Sequence, residues 1–132
     1  MRIQVKDFMS APVTTAMADQ SVLDIRMLMK EKGIHAIPIV SCSNDTLKVE
    51  MTIQGIITAT DINKEVREDT TVGDIMTSSN IHLVHPDSSA KAAAKMMLKH
   101  HVHHMIVMQE GEIRGMISSL DFTKLVAEHS LG

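Results

Sequence analysis

The chain has no tryptophan and no tyrosine, and it has only two phenylalanines, Phe8 and Phe122. Proteins that bind single-stranded nucleic acid stack bases on aromatic side chains. Duplex binders use clustered Lys and Arg, but this chain has a formal net charge of −3 and no basic run. The composition therefore argues against nucleic acid as a partner.

Cysteine and long apolar runs are also scarce. The single cysteine, Cys42, excludes an internal disulfide and fits a reducing compartment. It lies in a polar run that predicts a loop over Ser41–Glu50, with no surrounding motif for a catalytic thiol. No apolar run approaches the roughly 18 residues of a membrane span, and the N-terminus lacks a signal peptide's apolar core. We expect a cytoplasmic protein without a membrane partner.

Motifs of catalysis are missing as well. The sequence contains no nucleophile elbow, Walker-type loop, zinc-protease helix or closely paired catalytic carboxylates. Asp61 and Asp121 are separated by a repeat length, which predicts separate sites. We therefore expect that this chain is not an enzyme.

What the sequence does contain is an internal repeat. Val5–Met9 returns as Val72–Met76, and Gly55–Asp61 returns as Gly115–Asp121. A repeat whose units each carry several elements indicates two copies that share a core. The 132 residues are predicted to form a single module, with repeat one over about 5–66 and repeat two over about 72–126.

Each copy has the same predicted order of strand, helix, strand, strand, helix. The first helix follows Asp19 or Ser21 and ends at Gly33, while its counterpart follows Asp87 or Ser88 and must end differently because His101 replaces the glycine. Extended stretches are predicted at Val13–Thr15 and Ile81–Val84, strand pairs at Ile37–Val40 with Met51–Thr58 and at Met105–Met108 with Ile113–Ser118, and final helices near Asp61 and Asp121. The predicted fold is α/β (α+β), with tandem repeats, two small sheets flanked by helices, and pseudo-twofold symmetry.

The strand-to-helix junctions are the candidate sites. In both copies an apolar strand ends in hydroxyl residues and an aspartate, Asp61 or Asp121, at a helix N-terminus. Such an end can bind phosphate, and a carboxylate can accept hydrogen bonds from ribose hydroxyls. The alternative is a capping aspartate that contributes about 1 kcal/mol to helix stability. Recurrence in both copies does not separate the two interpretations, because a structural cap would recur too.

The pattern Asp-x-Met, then Ile34–Val40, then Gly55–Asp61, duplicated in order, resembles the cystathionine-β-synthase (CBS) domain pair, or Bateman module. The resemblance covers about residues 5–126. It implies a regulatory module that binds an adenosyl ligand (AMP, ADP, ATP or S-adenosylmethionine) in clefts between the repeats. It also implies a homodimer, an unidentified effector protein as partner, and no required cofactor.

The resemblance implies two clefts, of which the Asp61 cleft is the main one. There Asp61 would bind the ribose, Thr58 and Thr60 the phosphate, and His104 stands where relatives often carry a basic phosphate contact. The implied contacts of the Asp61 cleft are Thr58, Thr60, Asp61, Thr77, Ile81, His82, Val102, His103 and His104. Those of the Asp121 cleft are Val13, Thr14, Ile34, His35, Ser118 and Asp121, with Leu120 in the place of Thr60.

Two other functions stay open at this point. The histidines between His82 and His104 could make a metal-responsive module, although neighbouring imidazoles at a helix-to-strand boundary point in different directions. No helical His-x-x-x-His pattern or Cys pair supports a closed site, so no metal ligand is predicted. The remaining alternative is a structural dimerisation module with degenerate clefts.

Overall fold

The computed structural model describes residues 2–45 and 48–129. The chain divides into two compact units. The central unit runs from Thr14 to Ile81, and the terminal unit combines Met1–Val13 with His82–Gly132. Each unit holds one small sheet together with helices, which confirms the predicted mixed class. Among the described residues, every helix falls short of the length and apolar character needed to cross a membrane.

The elements of the central unit are α1 (Val22–Lys32), β1 (Ala36–Asp45), β2 (Lys48–Thr58), α2 (Ala59–Ile62) and α3 (Val72–Ile75). Those of the terminal unit are a single 3-10 turn (Val5–Asp7), β3 (Leu83–Val84), α4 (Ala90–His100), β4 (His104–Gln109), β5 (Glu112–Ser118) and α5 (Ser119–Glu128).

Local sequence sets both ends of α1. The Ser21 hydroxyl accepts a hydrogen bond from the Asp24 backbone N–H at 3.0 Å, which caps the helix as predicted. Gly33 adopts a left-handed conformation, with φ 63°, that ends it. The buried stripe of α1 packs into the core of the central unit, which comprises Ala16, Val22, Ile25, Met29, Ile37, Ile39, Ile57, Ile62 and Val72.

The strands β1 and β2 form a longer hairpin than predicted. The expected loop over Ser41–Glu50 is wrong, because β1 continues to Asp45 and β2 begins at Lys48. Cys42 is therefore an exposed strand residue opposite Met51. The added part of β1, residues 41–45, is almost entirely polar and gives no apolar alternation from which a strand could be predicted; main-chain hydrogen bonds pair it with β2. Residues 46 and 47 lie outside the described part of the chain.

Among the described residues, no strand forms at Val13–Thr15, where one was predicted. The chain there makes one parallel bridge, between Ala16 and Ile39. The predicted stretch at Ile81–Val84 contains β3, which pairs in parallel with β4 of the terminal unit. A segment that makes a single bridge is too short for sequence periodicity to tell a strand from a loop.

The sheet of the terminal unit has the order β3-β4-β5. Glu110 and Gly111 both have positive φ, 52° and 77°, in the tight turn between β4 and β5, which confirms the predicted hairpin. The core beneath the sheet comprises Val5, Val84, Ala93, Met97, Met105, Val107 and Ile117. The rings of Phe8 and Phe122 pack beside it edge to face, with centroids 5.0 Å apart.

Two predictions for α4 are wrong. Its N-cap is Ser89, whose hydroxyl accepts from the backbone N–H three residues on at 3.0 Å, and not Asp87 or Ser88. The helix also ends as α1 does: His101 takes the same left-handed conformation as Gly33, with φ 55°. A histidine can adopt this conformation at a cost that glycine does not pay.

The predicted final helices begin near Asp61 and Asp121, and they differ in length. α5 has ten residues and α2 has four. Arg26 of α1 donates two hydrogen bonds to the Ile62 carbonyl, at 3.0 and 2.7 Å, and one to the Lys64 carbonyl at 3.1 Å. These carbonyls would accept from backbone N–H groups in a longer helix, so the guanidinium group replaces the next turn.

The repeated Asp-x-Met pattern begins with a capped helical turn. The Asp7 carboxylate accepts from the Gln4 backbone N–H at 2.9 Å, and Asp74 accepts from Thr71 at 3.1 Å. After each turn the chain pairs with a strand: Ser10 and Met116 exchange two backbone hydrogen bonds in the terminal unit. The first residues of copy one thus join the sheet of copy two.

The methionine of the pattern explains the glycine that begins each junction motif. A Cβ atom on Gly55 would lie 2.6 Å from the Met76 sulfur, and one on Gly115 would lie 2.6 Å from the Met9 sulfur. Only glycine lets the leading segment approach the strand this closely. The Asp-x-Met and glycine motifs are therefore two sides of one contact in each unit.

Candidate functional site

The Asp61 junction, which we define as Thr58–Asp61, joins β2 to α2 in the central unit. Oδ2 of Asp61 accepts from the Thr58 backbone N–H at 3.2 Å and from the Thr58 hydroxyl at 3.0 Å. The Asp61 backbone N–H donates to the Thr58 hydroxyl oxygen at 3.4 Å, which completes a capping box. The carboxylate is largely buried, with 14% of the side chain exposed.

The loop before β1 lies against this junction. The Ala59 backbone N–H donates to the His35 carbonyl at 2.8 Å, so His35 and the half-buried Ile34 lie beside the start of α2. Thr77 lies on the other side of β2, where it exchanges two backbone hydrogen bonds of 2.9 Å with Ile56. The central unit thus brings together Ile34, His35, Thr58, Thr60, Asp61 and Thr77, although the sequence assigned the first two to the Asp121 cleft.

Two further predicted residues belong to the central unit. The Thr14 hydroxyl accepts from Nζ of Lys32 at 3.3 Å, and Ile81 is half-buried at the end of the unit. Neither residue has a described contact with Asp61.

The Asp121 junction, defined as Ser118–Asp121, joins β5 to α5 in the terminal unit. Oδ2 of Asp121 accepts from the Ser118 backbone N–H at 2.8 Å and from its hydroxyl at 3.1 Å. The Asp121 backbone N–H donates to the Ser118 hydroxyl oxygen at 3.3 Å. The two junctions therefore share one capping-box geometry.

The contact with the preceding loop is shared as well. The Ser119 backbone N–H donates to the His103 carbonyl at 2.9 Å, and Nδ1 of His103 lies 3.1 Å from the Ser119 hydroxyl oxygen. The half-buried Val102 packs against the core of this unit, and His104 lies opposite Ser118 in the β4–β5 ladder.

Ser10 is a residue that the sequence analysis missed. It pairs with Met116 in the terminal unit as Thr77 pairs with Ile56 in the central unit. Aligning Val5–Met9 with Val72–Met76 places Ser10 directly on Thr77, so the repeat itself carried the signal. Val13, which the sequence analysis assigned to the Asp121 cleft, is half-buried in the terminal unit.

Two histidines of the terminal unit stack on each other. The rings of His82 and His100 stack with centroids 3.8 Å apart and an angle of 15° between their planes. Partial burial, with His82, Lys99 and His101 nearby, lowers the pKa of His100 below its usual value. Among the described residues, no group of three or more His, Cys, Asp or Glu side chains is arranged to hold a metal ion.

The junctions are suited to hydrogen bonding with a hydroxyl-rich ligand. In both aspartates the capping box occupies Oδ2 and leaves Oδ1 without a hydrogen bond to any described residue. Near Oδ1 of Asp61 lies Nζ of Lys64, at 3.9 Å. A carboxylate held this way can accept a hydrogen bond from a ligand hydroxyl without losing its cap.

Comparison with known proteins identifies the repeat. The sequence model of the CBS domain matches residues 5–68 and again residues 72–128. A homoserine O-acetyltransferase of Methanosalsum zhilinae is 30% identical over 128 residues, which are 96% of this chain and 25% of that protein. An inosine-5′-monophosphate dehydrogenase of Korarchaeum cryptofilum is 28% identical over 119 residues, 89% of this chain and 23% of that protein. The chain thus spans about a quarter of the length of these curated relatives.

Solved structures share the fold. The CBS domain pair of protein MJ0100, in complex with 5′-methylthioadenosine and S-adenosyl-L-methionine, has a TM-score of 0.80 and 26% identity, covering 97% of this chain and 98% of that one. An uncharacterized conserved protein from Pyrococcus horikoshii has a TM-score of 0.78 and 22% identity, covering 100% of this chain and 97% of that one. The second likeness concerns the fold alone.

Proposed function

Because this chain belongs to the CBS domain family, we propose that it is a regulatory module that binds an adenosyl ligand. The observation that carries the proposal is the likeness to the MJ0100 domain pair, whose complex holds two adenosyl compounds. Ligand binding would occur at the Asp61 and Asp121 junctions. The proposed effectors are AMP, ADP, ATP or S-adenosylmethionine.

The geometry of the junctions supports this chemistry. Oδ1 of Asp61 would accept from a ribose hydroxyl, and the hydroxyls of Thr60 and Thr77 would serve as donors to the ligand. The Thr58 hydroxyl, which donates to Oδ2 of Asp61, would have to exchange that hydrogen bond to donate to a phosphate. The residues proposed to contact the remaining parts of the ligands are Val13, Thr14, Ile34, His35, Ile81, His82, Val102, His103, His104 and Ser118.

The output would pass to another protein. Ligand binding shifts a conformational equilibrium only by its differential affinity for the two states, so the partner must read a ligand-dependent difference in this module. In the curated relatives, which are named as enzymes, the match covers only about a quarter of the length, so in those proteins the matched segment is part of a longer chain. A homodimer and an unidentified effector protein belong to the same proposal.

The test is a thermal-shift screen of the chain against AMP, ADP, ATP, S-adenosylmethionine, NAD, zinc and nickel. A ligand that binds only the native state, at a hundredfold excess over its Kd, stabilises that state by about 2.7 kcal/mol. We expect a shift with at least one adenosyl ligand and a reduced shift in Asp61→Ala. Each variant is compared with its own ligand-free midpoint, because loss of the cap alone costs about 1 kcal/mol.

Asp74→Ala is the matched control. Asp74 completes the same kind of capping box in the same unit, at Thr71, but lies outside the proposed junction. It should lose similar stability and keep the full ligand shift. Wild-type protein that responds to no adenosyl ligand would overturn the proposal. A response to zinc or nickel alone would then favour the metal-responsive module, and no response at all the dimerisation module.

A further inference from the structure

The two junctions match closely in backbone and cap, and they differ in the exposed side chain that directly precedes the aspartate. Thr60 and Leu120 occupy the second residue of α2 and α5, and both are exposed. Leu120 exposes 53% of its surface on the first turn of α5. An isobutyl group here brings no hydrogen-bond donor, whereas Thr60 brings a hydroxyl.

The capping box leaves few free backbone N–H groups at either junction, so the side chains decide whether a phosphate finds donors there. Free backbone N–H groups are what attract a phosphate to a helix N-terminus. The N–H of Ser118 donates to Asp121, that of Ser119 to His103, and that of Asp121 to Ser118. Of the first residues of this helix, only Leu120 keeps an N–H without a described partner, and its own side chain is apolar.

Positive charge is also distributed unequally. At the Asp61 junction Nζ of Lys64 lies 3.9 Å from Oδ1 of the aspartate. Lys124 holds the same sequence position relative to Asp121, yet no cation among the described residues pairs with that carboxylate. A phosphate bound at Asp121 would therefore be repelled by a carboxylate that has no ion pair among the described residues, and position 120 supplies no side-chain donor to offset that repulsion.

An uncharged apolar substituent suits this junction better. Contact with Leu120 would remove the exposed isobutyl group from water, which is favourable for any apolar ligand group. A thioether is compact, polarizable and uncharged, so the Asp121 carboxylate does not repel it and it needs no hydrogen-bond donor.

We propose that the Asp121 junction prefers a nucleoside with a 5′-thioether, of which 5′-methylthioadenosine is the probe, over a 5′-phosphate, and that Leu120 sets this preference. The inference rests on the proposed function, since it assumes that an adenosyl ligand places its 5′ substituent near position 120. The Asp61 junction, with Thr60 and Lys64, keeps the preference for a phosphate.

The test is isothermal titration calorimetry of the full chain with 5′-methylthioadenosine and AMP. An Asp61→Ala background removes the other junction. There we expect the thioether to bind about tenfold more tightly than AMP, which corresponds to about 1.4 kcal/mol. Adding Leu120→Thr should shift the ratio toward AMP by about tenfold. Leu98→Thr is the control, because Leu98 is exposed on α4 of the same unit, and it should leave the ratio unchanged.

The outcomes separate this inference from the proposed function. Three outcomes would each overturn the role of Leu120 alone. They are equal affinities for the two ligands in the Asp61→Ala background, an affinity ratio that Leu120→Thr leaves unchanged, and loss of both ligands from that background while the wild type binds them. A wild-type chain that binds neither ligand and no other adenosyl compound would overturn both. Circular dichroism of each variant checks that the terminal unit stays folded.

Discussion

Gly115 is the position where a single added methyl group should disrupt the terminal unit most directly. In Gly115→Ala the new Cβ would lie 2.6 Å from the Met9 sulfur and 2.9 Å from both Met9 Cγ and the Ser10 carbonyl oxygen. The methionine side chain can rotate away. The Ser10 carbonyl cannot move freely, because it accepts from the Met116 backbone N–H at 3.0 Å.

The magnitude follows from these contacts. Overpacking a core by one methyl group costs about 1–3 kcal/mol. Weakening one backbone hydrogen bond adds about 1 kcal/mol. We therefore expect Gly115→Ala to lower the free energy of unfolding by about 2–4 kcal/mol. In a Met9→Ala background the cost should fall by about 1 kcal/mol, because the sulfur contact is gone while the Ser10 contact remains.

Urea unfolding followed by far-UV circular dichroism measures this loss, since a chain without Trp or Tyr gives no useful intrinsic fluorescence. With an m-value of about 2 kcal/mol/M, the midpoint should fall by about 1–2 M. Gly111→Ala is the control: its Cβ would meet nothing within 4 Å, so only the positive φ of 77° costs stability, about 1 kcal/mol. A midpoint for Gly115→Ala at or above that of Gly111→Ala would refute the close-approach explanation.

Two further predictions concern the helix ends. His101→Gly should raise the free energy of unfolding by about 0.5–1 kcal/mol, because glycine adopts the left-handed conformation without strain. Gly33→Ala, which has open space around it, should lower the free energy of unfolding by about 1 kcal/mol, because alanine is strained at that positive φ. Equal effects of the two variants in urea titrations would contradict this explanation. Because the pKa of His100 is lower in the folded chain, the unfolded chain binds a proton on this imidazole more tightly. The free energy of unfolding should therefore keep its full value above about pH 6.5 and fall as the pH drops below that value. His100→Gln should flatten this dependence between about pH 7.5 and 5.5, and an unchanged slope in that variant would show that His100 is not responsible.

Much of the fold was predictable because its signals are local. The cap at Ser21, the stop at Gly33 and the turn at Glu110–Gly111 each depend on residues within a few positions of one another. The capping boxes at Asp61 and Asp121 were also visible as a repeated hydroxyl-to-acid spacing. Those same boxes are why neither interpretation of the aspartates could be preferred, since one oxygen serves the helix and the other is available to a ligand.

The candidate site was predicted only in part for a related reason. Composition and repeat alignment identify the types of residue at each junction, but not their neighbours. His35 and His103 contact the junction that follows in their own repeat through a carbonyl, and a backbone carbonyl carries no sequence signal. Ser10 was missed although the repeat places it on Thr77, because an exposed serine after a short turn has no periodic pattern of its own.

The sequence by itself determined the duplication, the class of each main element and the family, because apolar periodicity, caps and turn residues act over short distances along the chain. The tertiary structure alone decided which segments join which sheet and where α2 stops. The Ser10–Met116 pairing and the Arg26 hydrogen bonds to the Ile62 carbonyl both depend on groups brought together by packing. Such contacts involve backbone atoms or single side chains distant in sequence, so no local pattern records them.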